Sequence, residues 1–108
     1  MKLDIYTKGR KRGYDAKGVY DENGVVIKKG SIISKDLADK VNPIVKRMRE
    51  DNTIVSNEKE EVLVDVRFDS LSTAATFVTG YVSNGLRIWK SVDGVKIGAI
   101  KEKDNGRH

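Results

Sequence analysis

Residues 70–86 form an uncharged run of 17 in a chain where 34% of residues are charged. Ser70 opens the run as a helix N-cap, because its side-chain oxygen can accept a free N–H of the first turn. Residues 71–79 then read as helix, with Leu71, Ala74, Ala75 and Val78 on one face and Phe77 at its border. The adjacent alanines allow close approach to a sheet. Gly80 closes the helix as the left-handed C′ residue. Asn84-Gly85 predicts a tight turn, residues 86–90 a strand, Asp93-Gly94 a hairpin turn and residues 95–100 the return strand.

The rest of the chain must build around that unit. Lys2 to Thr7 alternate briefly. Residues 8–18 are basic and glycine-rich, which reads as a loop or arm. Val19-Tyr20 and residues 25–27 flank Asn23-Gly24 as a β-hairpin. Lys28 to Ser31 form a turn leading to the apolar pair Ile32-Ile33. Asn42-Pro43 is a helix start, Asn as N-cap and Pro at the first position. A helix follows over about residues 43–51, with Ile44, Val45 and Met48 sharing a face. Residues 53–55 and 62–68 read as strands around a polar turn. The expected fold is α+β, a compact single domain of antiparallel hairpins with about two short helices. The expected divisions are a basic N-terminal arm at 1–15, the domain at 16–100 and a polar tail at 101–108.

Composition narrows the chemistry. The chain has 108 residues and no cysteine, and its one histidine is His108. Disulfides and thiolate chemistry are excluded, and a histidine triad or metal site is not expected. The N-terminus lacks the apolar core of a signal peptide, and residues 70–86 are too polar to span a bilayer. A cytoplasmic protein with no membrane partner is expected. Glu58, Glu60, Glu61, Asp65 and Asp69 lack the spacing of a divalent-metal nuclease, and they read instead as a charge-protected strand edge. No cofactor is expected.

The net charge of +5 is unevenly spread. Residues 1–50 carry 13 Lys+Arg and 7 Asp+Glu, residues 51–69 carry 2 and 6, and residues 70–108 carry 6 and 3. Two basic segments flanking an acidic one suggest an anionic partner such as nucleic acid. Lys8, Arg10, Lys11 and Arg12 are candidates for tracking phosphates, extended by Lys28, Lys29 and Arg47. Ser70 and Ser72 could hold a phosphate at a helix N-terminus, or simply cap the helix. Asn84 could face a base edge, or simply form a turn. Trp89 could stack on a base, or pack in the last hairpin. Arg87 and Lys90 complete this candidate set.

The stretch "FDSLSTAATFVTGYVSNGLRIWKSVDG" resembles a small uncharacterised domain found C-terminal to GIY-YIG nucleases and in restriction-modification proteins. That domain is similar to the RAMA (restriction enzyme and adenine methylase associated) domain. The resemblance rests on Phe68, Ser70, Ser72, Ala74, Ala75, Gly80, Asn84, Gly85, Trp89 and Lys90. Gly18, Asn23, Gly24, Val25, Gly30 and Ser31 carry it upstream, so it spans about residues 16–97. Leu71 and Leu86 stand where the family pattern has Pro and Trp. The resemblance implies a non-enzymatic module near DNA, reading duplex or modified DNA. The alternative is docking onto a nuclease or methyltransferase through residues 70–86.

Overall fold

A computed structural model describes residues 2–93 and residue 97. Its elements run β1 (Leu3–Gly9), β2 (Tyr14–Asp21), β3 (Gly24–Ile27), α1 (Pro43–Glu50), β4 (Val66–Phe68), α2 (Leu71–Thr79), α3 (Gly85–Ile88) and β5 (Lys90–Ser91). Among the described residues the strands form one antiparallel sheet in the order β4-β3-β2-β1-β5. The fold is α+β, as expected.

The basic, glycine-rich stretch is not an arm. It completes β1, turns at residues 10–13 and becomes β2, with Leu3 opposite Tyr20 and Gly9 opposite Tyr14. Gly13 makes the four-residue turn possible: it takes φ +74, a conformation glycine adopts at no steric cost, and donates its N–H to the Gly9 carbonyl. The second hairpin forms as expected but turns one residue early. Asp21 pairs with Gly24, so Glu22 and Asn23 are the central residues. The positive φ falls on Gly24, the position where glycine follows a common tight turn. The Asp21 carboxylate accepts the Asn23 N–H, which fixes the turn locally.

Both helix starts follow their caps. Asn42 accepts the Ile44 N–H, and Ser70 accepts the Thr73 N–H. Gly80 ends α2 at φ +83. α2 packs on β2, β3 and β4, while α1 and α3 pack on α2. Ala74 and Ala75 are fully buried, and Phe77 meets Phe68 with ring centroids 5.0 Å apart. α2 is buried beyond the one expected face, since Thr76, Phe77 and Thr79 are buried too. Ile44 departs from its expected face: it is 57% exposed, whereas Val45 is fully buried.

The expected strand at 62–68 is broken. Only Val66–Phe68 pair with β3, and Val55 meets Val62 in an isolated bridge. Asp65 draws the chain toward the 28–29 turn by accepting the Lys29 N–H and the Lys28 ammonium. Leu63 and Val64 are left exposed.

Arg49 locks α1 to the end of α2. Its guanidinium donates to the Ser34 and Asp36 carbonyls, while Ser34 Oγ donates to the Thr79 carbonyl. Burial pulls the Arg49 pKa below its ordinary value, opposed by the Glu60 and Asp36 carboxylates. Gly80 sits in the same junction, where an added Cβ would overlap the Asp36 carbonyl oxygen. Gly80→Ala combines that overlap with a left-handed backbone, so we expect a loss of about 3 kcal/mol in chemical denaturation.

Candidate nucleic-acid interface

The serine, Asn-Gly and Trp motif folds upon itself. Asn84 caps α3 by accepting the Leu86 N–H. Gly85 brings the start of α3 against the start of α2, where an added Cβ would overlap Leu71 and Ser72 backbone atoms. Ser72 Oγ accepts the Gly85 N–H at 3.1 Å. Trp89 is fully buried, and its indole N–H donates to the Leu71 carbonyl at 3.0 Å.

These contacts correct one expectation and favour core packing over stacking for Trp89. Residues 85–88 are a short helix rather than part of a turn and strand, because Asn84 caps and Gly85 fits. Trp89 has no free ring face on which a base could stack. Ser70 and Ser72 are both engaged as acceptors within the fold. Little of residues 70–86 remains for a docking partner, since α2 is largely buried and Val82 is the most exposed apolar residue there, at 76%. The expected return strand at 95–100 lies outside the described residues apart from Ile97, which is helical rather than extended. That residue is buried and donates its N–H to the Trp89 carbonyl. The tail at 101–108 lies outside them altogether.

The cations gather elsewhere. Arg10, Lys11 and Arg12 occupy the β1–β2 turn, and with Lys35 and Lys59 they line a cleft of about 290 Å³ whose one carboxylate is Glu60. Arg12 lies 3.8 Å over the Tyr81 ring, a cation–π contact that steadies the turn. A second cleft of about 350 Å³ is lined by Lys17, Lys28 and Lys29 beside Asp15. Ile32 lines both clefts, so they adjoin as one basic band.

Other candidates stand apart or are partnered. Lys8 approaches Asp15 at 4.0 Å. Arg47 lies exposed on α1, Arg87 exposed on α3, and Lys90 in β5; none of the three lines the two clefts. Lys17, Lys35 and Lys59 join the band without having been expected. Strand alternation along β2 could have identified Lys17. Nothing local marks Lys35 or Lys59, because the fold brings them to the turn from distant parts of the chain.

Lys28 is held by Asp65 at 2.7 Å. The Lys28 hydrogen bond, then the Lys29 N–H, keep the Asp65 carboxyl below its ordinary value. A lowered folded-state pKa means that this contribution to stability is present above the unfolded value of about 3.9 and lost as pH falls through the folded one. At neutral pH the carboxylate therefore competes for Lys28. Asp65→Asn frees Lys28, so under the nucleic-acid reading proposed below it should tighten binding modestly and steepen the salt slope. Among the described residues no three acidic or histidine side chains converge as a metal site would require. No helix among them is long and apolar enough to cross a membrane.

A family model described as a domain of unknown function (DUF4357) matches residues 5–101. The chain belongs to this family. The match begins within β1, so the first hairpin and its basic turn are part of the DUF4357 domain. No curated protein matches the chain, and no solved structure matches it.

Proposed function

We propose that this DUF4357 domain is a non-enzymatic nucleic-acid-binding module, with duplex DNA as its ligand. The observation that carries this reading is the basic band. Five cations and one carboxylate line its first cleft, and three lysines line the second. Phosphate contacts supply most of the affinity in such complexes, and the clefts offer cations spaced along a surface rather than a single enclosed anion site. The resemblance to domains accompanying GIY-YIG nucleases and RAMA-type modules adds the setting: an accessory to nuclease or restriction-modification systems, capable of meeting modified DNA. Docking onto a nuclease or methyltransferase finds less support, because the segment it would use is largely buried in the domain's own core.

Electrophoretic mobility shift with plain and adenine-methylated duplexes tests the proposal. Retardation of both at low salt is expected, and stronger retardation of the methylated duplex would make the domain a reader. Free migration of both at low salt, with protein shown to be folded, would overturn the binding reading. Cleavage on addition of Mg²⁺ or Mn²⁺ would overturn the non-enzymatic part.

A further inference from the structure

The sheet has a second face, and Tyr6 stands on it. Ile5 and Thr7 of β1 and Ala16 and Gly18 of β2 are buried on the helix side. Strand alternation therefore projects Tyr6, Lys17 and Val19 from the opposite side. Among the described residues α1, α2 and α3 lie on the first side, α2 on the sheet and the other two on α2.

Tyr6 pairs with Lys17 on one neighbouring strand and with Lys90 on the other. Side chains so paired are direct neighbours, so Tyr6 stands between two lysines on adjacent strands. Among the described residues neither lysine has a carboxylate partner. The ring borders a trough of about 410 Å³ whose apolar walls include Val19 and Val92 and whose charged lining is Lys17, the Asp65-paired Lys28 and one carboxylate, Asp4. Lys17 and Lys28 also line the second cleft of the basic band, so trough and band are continuous.

An aromatic ring flanked by lysines on an open sheet suits an unpaired base: the ring stacks on it and the cations take the adjoining phosphates. Bases within a duplex are stacked on one another and have no face to offer. We propose that the Tyr6 trough holds an unpaired nucleotide of a strand whose adjoining duplex lies along the band, so the favoured ligand is a duplex carrying a single-stranded tail. This rests on the nucleic-acid reading above.

The test compares a blunt duplex with the same duplex bearing a thymidine tail, using the full 108-residue chain. One stacked base should tighten binding at least about fivefold. Tyr6→Phe should keep that gain and Tyr6→Ala should abolish it. With wild-type protein and 4-thiothymidine in the tail, the photo-cross-link should fall on the tryptic peptide of residues 3–8, a readout that needs no variant to fold. Equal affinity for blunt and tailed duplexes, or a cross-link elsewhere, overturns the trough while leaving the band intact. Failure to bind either duplex overturns both.

Discussion

Replacing Trp89 by alanine should cost about 4 kcal/mol of folding stability. The side chain is fully buried, and its indole N–H bonds the Leu71 carbonyl at the first turn of α2. Truncation removes the largest fully buried side chain of the domain and leaves a cavity beneath α2 and α3. A domain of this size has roughly 5–15 kcal/mol in total, so the loss is a large share. With a urea slope of about 2 kcal/mol per M, the unfolding midpoint should fall by about 2 M. Trp89→Phe keeps part of the ring and loses the hydrogen bond, so it should fall between wild type and Trp89→Ala. Gly85→Ala should approach the larger loss by another route, because its Cβ would overlap backbone that no side-chain rotation can move. An unchanged midpoint for Trp89→Ala would mean that the motif does not hold the two helices together.

The second large effect is on binding. Replacing Arg10, Lys11 and Arg12 together by alanine removes three of the five cations of the first cleft. These residues are exposed on a turn, so stability should change little beyond the Arg12–Tyr81 contact, worth about 0.5–1 kcal/mol. Under the proposed reading, neutralising about four phosphates would give a slope of log K against log salt near −4. Each lost phosphate contact flattens that slope by about one, which leaves the triple variant at about −1. Binding should weaken uniformly across sequences, because phosphate contacts carry no base information. A variant that binds with unchanged slope would place the interface elsewhere.

The parts of the fold written in short-range chemistry were legible in the chain. Ser70 with Gly80 bounded α2, and Asn42-Pro43 started α1, because a cap is a local hydrogen bond. Three features depended on distant partners and were not legible. Residues 1–15 looked like a basic arm because local composition hides pairing over a 17-residue span, Leu3 with Tyr20. The strand at 62–68 breaks because Asp65 binds residues 28 and 29. Residues 85–88 coil into a helix because Gly85 fits against Leu71, which no local pattern announces. The candidate interface divided the same way. The turn cations were evident from their clustering, whereas Lys17, Lys35 and Lys59 joined them only through folding. The Ser70–Trp89 motif, for which capping and packing stood beside ligand contact as readings, is engaged largely in holding α2 and α3 together.

Fluorescence anisotropy of a labelled duplex DNA, titrated with the wild-type domain at two salt concentrations, tests the basic band most directly. Binding at low salt should weaken steeply as salt rises, with a slope of about −4. Absence of binding at low salt, or binding indifferent to salt, would contradict it.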